Sequence, residues 1–291
     1  MKAAYFTDFM DTLETEQQRL AQVKQASGAD QVLAIMSGNY LQNGQPAAEP
    51  MESRLEKAKQ IGVNQILELP LYTCLSSVGI YGYSASNLIT NAKDIDVLVL
   101  ESLDASYAQL LDIAYVLIRN EKTFQKRLAA YKQSGMTFYQ AQAKAIEDGL
   151  PGGEKIMLAP RNVLAVECIK SLKYMYSSVK CMCIPEVSDF WKEQGLSDTW
   201  EERLQEQLME SEDVFSDTYG GYEKRSQAMI AQRELYEDFD QFAALIAGKD
   251  HELVEIRKYF LRLILKIRKL DVIYWQLRDF SSDAKWITTE A

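Results

Sequence analysis

Length, composition and charge place the chain among globular proteins. Its 291 residues are 47% hydrophobic and 25% charged, which excludes disorder on a large scale. No apolar run approaches the ~18 residues of a membrane span. The acidic residue Asp8 interrupts the N-terminal segment before an apolar stretch of a secretory signal could form, so we expect a cytoplasmic protein. The formal net charge of −10 disfavours binding to the phosphate backbone of a nucleic acid, so a nucleic-acid partner would need a local basic patch.

Apolar strands alternate with helices over residues 1–104. The predicted strands are 3–7, 31–36, 65–69 and 95–100, and the predicted helices are 14–27, 51–61 and 82–91. Continuously apolar strands separated by helices indicate a parallel sheet that is covered on both faces. The predicted fold class is therefore α/β, with a Rossmann-like, doubly wound sheet and right-handed crossovers.

The rest of the chain is predicted to be mostly helical. Residues 105–176 carry helical patterns, and 179–184 form the last predicted strand. After Pro185 the composition changes, and residues 251–280 show one long helical pattern without proline or glycine. We therefore expect two units. They are an α/β domain at residues 1–185 and a helical C-terminal region at residues 186–291.

Cysteine and histidine contents limit the chemistry. The four cysteines are Cys74, Cys168, Cys181 and Cys183, and no pair has the Cys-x-x-Cys spacing of a zinc site, so we predict no metal. The only histidine, His251, would have to serve any Ser-His-Asp or Cys-His mechanism. Its polar setting between helices favours a surface position, so we predict no catalytic residue of this kind.

Several short segments between residues 1 and 185 carry a family resemblance. They are Gly28-Ala29-Asp30, Met36-Ser37-Gly38-Asn39-Tyr40, Gln42-Asn43-Gly44-Gln45-Pro46-Ala47, Arg54-Leu55-Glu56-Lys57-Ala58, Gly62-Val63, Leu67-Glu68-Leu69-Pro70 and residues 159–167. In this order they resemble the tRNA(Met) cytidine acetate ligase family of the HxGH nucleotidyltransferase superfamily. The resemblance implies activation of acetate by ATP and acetyl transfer to a tRNA cytidine.

The phosphate-binding motif of that family is degenerate in this sequence. Its histidines donate to developing charge, and its glycine lets the backbone approach phosphate at a helix N-terminus. Counted from Gly28-Ala29-Asp30, the two histidines fall on Leu13 and Glu16, and the glycine falls on Thr15. The resemblance therefore identifies a member that lacks the HxGH motif.

Acidic residues surround this segment. Asp11 to Glu14 has the spacing of a helix capping box, so the helix end would satisfy its own amides. We expect Asp8, Asp11, Glu14 and Glu16 to crowd a triphosphate. Each like-charge contact near ~4 Å would cost about 1 kcal/mol in water and about 4 kcal/mol near a partly buried surface.

Other positions of the family pattern are also changed. The glycine after the fourth strand is Glu101, and an arginine that contacts nucleotide is Pro185. A Ser-x-Thr-x-x-Arg element has only a poor match at residues 197–203. Asn162 is the nucleotide-contacting position that survives, and the competing interpretation is a structural residue at a helix start.

The candidate cleft combines family positions with strand ends. It comprises Ser37, Gly38, Asn39, Arg54, Glu101 and Ser102. Arg54 and Glu56 match the family, and the alternative interpretation is that they form an ion pair on one helix.

The last helical pattern is strongly basic. Its basic residues are Arg257, Lys258, Arg262, Lys266, Arg268 and Lys269. One interpretation is an amphipathic helix that packs its apolar side and leaves the basic residues in solvent. The other is a stripe that faces RNA, assisted by Tyr274 and Trp275.

Three functional hypotheses remain open. The first is a non-catalytic or repurposed relative of the acetate ligases that binds a protein, an RNA or a small ligand and needs no cofactor. The second is an active adenylate-forming enzyme with a rearranged site, which would use ATP and Mg²⁺. The third is an interaction module that dimerises through its helical region. The resemblance implies tRNA as a partner, the net charge disfavours it, and no membrane partner is expected.

Overall fold

The computed structural model describes residues 1–188, 198–209, 215, 217–218, 223–247, 253–280 and 283–289. Strands and helices alternate in the first part. The strands are β1 (Lys2–Phe6), β2 (Gln31–Ser37), β3 (Gln65–Leu69) and β4 (Val97–Ser102). The helices are α1 (Leu13–Ser27), α2 (Met51–Ile61), α3 (Leu71–Cys74) and α4 (Val78–Ala92).

Helices dominate the remainder. A first group contains α5 (Tyr107–Arg119), α6 (Lys122–Gln133), α7 (Phe138–Glu147), α8 (Gly153–Met157) and α9 (Pro160–Tyr174), followed by strand β5 (Lys180–Pro185). A second group contains α10 (Asp198–Leu208), α11 (Glu223–Gln232), a short 3₁₀ helix (Arg233–Leu235), α12 (Phe239–Ala247), α13 (Leu253–Ile264) and α14 (Lys269–Gln276). Strand β6 (Lys285–Thr288) follows.

The six strands form one sheet in the order β5-β4-β1-β2-β3-β6. Strands β1 to β5 pair in parallel, and β6 pairs antiparallel with β3. The chain adds β2 and β3 on one side of β1 and later adds β4 and β5 on the other. The predicted Rossmann-like α/β fold is therefore confirmed, and its strand order reverses between β1 and β4.

Alternating side chains of the strands pack two layers of helices. On β1, Ala4 and Phe6 belong to a core with residues of α4, α5 and α9, whereas Ala3 and Tyr5 belong to a second core with residues of α1 and α2. Burial on both faces explains why the strands are apolar at nearly every position. A third core within the helical region is built around Phe239, Phe242 and Phe260 among others.

Two expectations about the C-terminal part were wrong. Residues 179–184 were expected to be the last strand, but β6 is a later one at the edge of the sheet. Residues 251–280 were expected to be one helix, but the chain turns between α13 and α14. Lys266 adopts a left-handed φ of 54°, and Ile267 turns back into a small core with Leu75 and Val272. The division at residue 185 stays a prediction, with β6 joining the sheet from beyond it.

Three of the basic residues, Arg257, Lys258 and Arg262 of α13, are buried, although both interpretations placed them at the surface. The apolar side of α13 packs into the third core as expected, and Lys266, Arg268 and Lys269, which follow α13, are exposed. Lys258 donates from Nζ to the carbonyl oxygen of Ser76 at 2.8 Å, and Arg262 donates from Nε to that of Leu75 at 2.9 Å. Arg257 donates to Asp240 Oδ1 at 2.8 Å. All three side chains are buried, and their hydrogen bonds connect α13 to the segment after α3 and to α12. Trp275 stacks on Tyr72 with ring centroids 4.4 Å apart.

In the described ranges no helix is long and apolar enough to cross a membrane, and no group of acidic, histidine or cysteine side chains is arranged to hold a metal ion. His251 lies outside the described residues. The four cysteines are free thiols, and burial raises the pKa of Cys181 to about 12.

Candidate functional site

The candidate site lies where the strand order reverses, at the carboxyl ends of β1, β4 and β5. Open α/β sheets bind their ligands in the crevice at this position. The segment after β1, the start of α1, the end of β4, the start of α9 and the segment after β5 all meet here. Their polar side chains form an ion-pair cluster, which we define as Asp11, Glu16, Arg19, Glu101, Arg161 and Glu186.

Arg19 of α1 is the centre of the cluster. Its guanidinium contacts Glu16 at 2.6 Å through Nη1, Glu101 at 2.6 Å through Nε, and Asp11 at 2.8 Å through Nη2. The side chain of Arg19 is 2% exposed, so these contacts replace water as its solvation. Three carboxylates around one buried guanidinium make the contacts strong and the charges mutually dependent.

Glu101 connects Arg19 to a second arginine. Its Oε1 contacts Arg19, and its Oε2 contacts Arg161 Nη2 of α9 at 3.1 Å. Arg161 also lies 3.3 Å from Glu186, through Nε. The cluster thus ties α1, β4, α9 and the segment after β5 together across the end of the sheet.

Hydroxyl groups complete the cluster. Thr7 donates from Oγ1 to Glu16 and accepts from the backbone N–H of Phe9 at 3.1 Å. Ser188 donates to Asp11 Oδ2, the same oxygen that Arg19 contacts. The charged groups are therefore satisfied by protein atoms.

The pKa values reflect burial and pairing. Burial raises the pKa of the Glu16 carboxyl above its usual value, although Arg19 and Thr7 act against the shift. Burial also acts to raise the pKa of Asp11, but hydrogen bonds from Ser188 and Arg19 outweigh it and hold that pKa below the usual value. For Arg19, burial is outweighed by Glu16 and Glu101, which raise the pKa of its guanidinium. Arg19 is a permanent cation.

A small cavity borders the cluster. It touches Glu101 and Arg161, measures about 10 Å³ and is otherwise lined mostly by apolar side chains such as Val99 and Leu164. That is room for about one water molecule. A phosphate group does not fit there without displacing the side chains.

A second polar group lies beside the cluster, at the ends of β1 and β2. Arg54 of α2 is fully buried and donates to the carbonyl oxygens of Ser37 at 3.0 Å and Gly38 at 2.7 Å. The backbone N–H of Ser37 donates to Asp8 Oδ1 at 2.6 Å. Burial raises the pKa of Asp8. The alternative of a helical ion pair between Arg54 and Glu56 is wrong, because Arg54 binds this backbone while Glu56 is exposed.

Asn162 and Ser102 are engaged by the backbone. Asn162 accepts from the N–H of Leu103 at 2.8 Å and donates to the carbonyl oxygens of Leu103 at 2.9 Å and Ile156 at 3.1 Å. Ser102 donates to the carbonyl oxygen of Ala105 at 2.7 Å. Ser102 closes the turn after β4, and Asn162 holds that turn against α8 and α9, which favours the structural interpretation of Asn162.

The positions that the sequence assigned to the family motif lie around the start of α1. Leu13 is the first residue of α1 and is half-buried, as is Thr15, whereas Glu16 is buried in the cluster. The N-cap is Thr12, whose hydroxyl accepts from the backbone N–H of Thr15, so the predicted Asp11–Glu14 capping box was misplaced by one residue. Asp11 is committed to Arg19 instead.

Some predicted site residues do not join the cluster. Pro185 ends β5 opposite Ser102 and is exposed, and Asn39 and Glu14 are also exposed. The four carboxylates that were expected to crowd a triphosphate lie in different settings. Asp11 and Glu16 are paired with Arg19, Asp8 is buried beside the Ser37 backbone, and Glu14 faces solvent.

The sequence interpretation did not identify Arg19 and Arg161 as site residues. The one available signal for Arg19 was its position three residues after Glu16, which allows an ion pair on one helix. Nothing in the sequence around Arg161 indicates that it faces Glu101, because the two residues are 60 positions apart and meet only through the fold.

A larger cleft lies apart from the cluster, between α7, α8, α9 and the start of α13. It measures about 440 Å³ and shares no lining residue with the cluster. Its walls are mostly apolar, for example Val78, Met157, Leu158 and Val163, and Gln42 and Lys258 lie at its polar end. This volume is within the range of small-molecule sites.

Comparison with known proteins identifies a matching family and similar relatives. A family model described as HIGH Nucleotidyl Transferase matches residues 17–201, so the match begins immediately after Glu16. A tRNA(Met) cytidine acetate ligase from Thermoanaerobacter sp. (strain X514) is 32% identical over 158 residues, which cover 54% of this chain and 39% of the relative. The ligase from Caldicellulosiruptor saccharolyticus is 30% identical over 177 residues, covering 61% and 44%. The chain spans about two fifths of the length of these relatives.

Solved structures share the fold. Apo TmcAL from Thermotoga maritima superposes with a TM-score of 0.87 at 18% identity, covering 96% of this chain and 78% of that chain. The same protein bound with alpha-thio ATP superposes with a TM-score of 0.85, covering 95% and 77%. At this identity the likeness shows the fold alone.

Proposed function

The chain belongs to the HIGH nucleotidyl transferase family, and we propose that within this family it is a non-catalytic member whose phosphate-binding edge has become a structural ion-pair cluster. The observation that carries the proposal is the buried guanidinium of Arg19, held by Glu16, Asp11 and Glu101. Adenylate formation needs donors aimed at phosphate oxygens. Here the cationic donors are directed at the protein's own carboxylates.

The charge balance supports the same proposal. Two guanidinium groups of the cluster face four carboxylates, so a triphosphate arriving here would meet net negative charge. The residues present do not fit ATP, because phosphate binding would require breaking the contacts of Arg19 and exposing Glu16 and Glu101. With one histidine in 291 residues, the chain also lacks the pair that an HxGH motif requires.

An activity assay tests the proposal directly. The protein is incubated with ATP, acetate and Mg²⁺, and acetyl-adenylate and pyrophosphate are measured. Thermotoga maritima TmcAL, whose structure with alpha-thio ATP shows that it binds this nucleotide, serves as the nucleotide-binding control. We expect neither product from this chain. Catalytic formation of acetyl-adenylate would establish the second hypothesis, an active enzyme with a rearranged site.

The binding role falls, in this proposal, to the 440 Å³ cleft between α9 and α13. Its apolar walls suit a small ligand with an apolar body, and Leu158 on its rim is 62% exposed. The probe is the dye 1-anilinonaphthalene-8-sulfonate, whose fluorescence increases in apolar sites. We expect native protein to bind it and Leu158→Glu to lose most of the signal. Leu235→Glu, at a 65% exposed leucine outside the cleft, is the control and should keep it. Equal signals from both variants would place the dye elsewhere and remove this support.

A further inference from the structure

Helix α14 exposes a row of large apolar side chains. They are Leu270 at 72% exposure, Ile273 at 52%, Tyr274 at 49% and Leu277 at 82%. The spacing i, i+3, i+4 and i+7 places them on one face of the helix. We call this face the α14 stripe. Contiguous apolar surface of this kind marks an interaction site, whereas apolar residues exposed one by one do not.

The opposite face of α14 is fixed to the rest of the molecule. Val272 is buried, and Trp275 stacks on Tyr72 with ring centroids 4.4 Å apart. The helix therefore presents the stripe from a supported position. No described residue covers Leu270 or Leu277, as their exposure shows.

The stripe is complementary to itself when two copies of α14 run antiparallel. A two-fold axis between Ile273 and Tyr274 sets Leu270 of one copy against Leu277 of the other, and Ile273 against Tyr274. Leu270 and Leu277 are about 10 Å apart along the helix axis, so the pairs are spread over two turns. An isologous contact of this kind closes after two chains.

Charges beside the stripe agree with this arrangement. Asp271 of α14 and Arg278, two residues beyond the end of that helix, are seven residues apart, which is about two helical turns and places both toward the same flank. Asp271 Oδ2 accepts from the backbone N–H of Arg268 at 2.8 Å, and the Arg278 guanidinium carbon lies 4.4 Å from the centroid of the Tyr274 ring. Antiparallel pairing brings Asp271 of one copy beside Arg278 of the other, and the symmetry makes this contact twice. In a parallel pair the same flanks of the two copies point to opposite sides of the contact, so Asp271 and Arg278 would not meet.

We propose that the α14 stripe binds the same stripe of a second copy of this chain, so that the protein is a two-fold symmetric dimer in solution. The contact is independent of the ion-pair cluster and of the proposed function, because neither Arg19 nor the 440 Å³ cleft belongs to it.

The mass in solution tests the proposal. Light scattering after size exclusion should give twice the chain mass of 33.2 kDa for the native protein. Leu277→Glu should give the single-chain mass. Leu270→Ser is a milder change and should give the single-chain mass only after the protein is diluted. Leu235→Glu changes an equally exposed leucine outside the stripe and should remain a dimer. Circular dichroism checks that each variant folds, which we expect because the changed side chains are exposed.

The charge pair gives a second arm. Arg278→Asp should weaken the dimer, because it places two acidic groups together twice, and Asp271→Arg in the same chain should restore it. A native protein that is monomeric at all concentrations would overturn the proposal and leave the stripe for a different partner. Loss of the dimer in Leu235→Glu, or its persistence in Leu277→Glu, would overturn it as well.

Discussion

Two regions of this molecule bury basic side chains, and they satisfy them in different ways. In the ion-pair cluster, Arg19 meets three carboxylates. At the contact between α13 and the segment after α3, Lys258 and Arg262 donate to main-chain carbonyl oxygens. Among the described residues, Glu255 forms ion pairs with both, at 3.5 Å from Lys258 and 3.8 Å from Arg262. Paired charges and carbonyl-bound charges are expected to respond differently when the cation is removed.

The difference lies in what is left behind. Removing Arg19 leaves buried carboxylates without a counter-ion, which is costly. Removing Lys258 leaves the Ser76 carbonyl oxygen, which still accepts from Gln42 Nε2 at 3.1 Å. We therefore expect removal of Arg19 to destabilise the folded protein. Lys258, in contrast, should lower the stability of the folded protein as long as its amino group is charged.

Arg19→Met is expected to have the largest effect. It should lower the free energy of unfolding by about 4 kcal/mol, because Glu16 and Glu101 lose a buried counter-ion. Denaturant unfolding measures the change. The loss should shrink at acid pH, where protonation of these carboxyls removes the uncompensated charge. Arg127→Met, which removes an exposed partner 3.8 Å from Asp148, is the control and should cost less than about 0.5 kcal/mol. Similar losses of unfolding free energy in the two variants would contradict the conclusion that the cluster stabilises the fold.

Lys258 should make the stability of the folded protein rise with pH. Burial lowers the pKa of Lys258 from 10.5 to about 8, with Glu255 acting against the shift. The unfolded chain therefore holds the proton more tightly between these pH values, so this residue makes the protein more stable as pH rises from about 8 to 10.5. The gain is about 3 kcal/mol. Native protein should gain this amount relative to Lys258→Met over that range, as measured by urea unfolding. Parallel pH curves for the two proteins would sink the prediction.

Asn162 should behave as a structural residue. Asn162→Ala removes the partner of the Leu103 backbone and should cost about 2 kcal/mol of stability. Asn39→Ala is the matched control, since its side chain is exposed, and should change stability by less than about 0.5 kcal/mol. Thermal unfolding distinguishes the two. An unchanged melting temperature for Asn162→Ala would show that its backbone contacts are not needed for the fold.

Glu14 should show the smallest effect. The sequence suggested that it repels ligand together with Glu16, but Glu14 is exposed in the first turn of α1. Glu14→Gln should change the free energy of unfolding by less than about 0.5 kcal/mol, through the helix dipole alone. A loss comparable to that of Arg19→Met would place Glu14 inside the cluster.

The fold was predictable because its signal is local. Strand β2 is apolar from Val32 to Met36, and helix α2 ends at Gly62, whose left-handed φ of 85° suits glycine. Strand β6 was missed because a four-residue strand with two exposed positions at its start has no distinctive apolar pattern. Its position depends on pairing with β3, which is far away in sequence.

The candidate site was predictable only in part. The changed positions Glu16 and Glu101 were identified from family spacing, since their types are visible in the sequence. Their pairing with Arg19 was not, because a sequence shows that charges exist but not which are buried together. The same limit explains α13, where Lys258 and Arg262 occur in a basic run that is typical of a solvated face. Tertiary contacts place them in the interior instead.

In the proposed function, the ion-pair cluster takes the place of the phosphate-binding site. Calorimetric titration of ATP with Mg²⁺ into the native protein tests it most directly, with Thermotoga maritima TmcAL titrated in parallel. We expect no heat beyond dilution at millimolar ATP, because Arg19 and Arg161 are held by the protein's own carboxylates. A saturable isotherm with a micromolar Kd would contradict it, since such binding requires the cluster to open and present its arginines to phosphate.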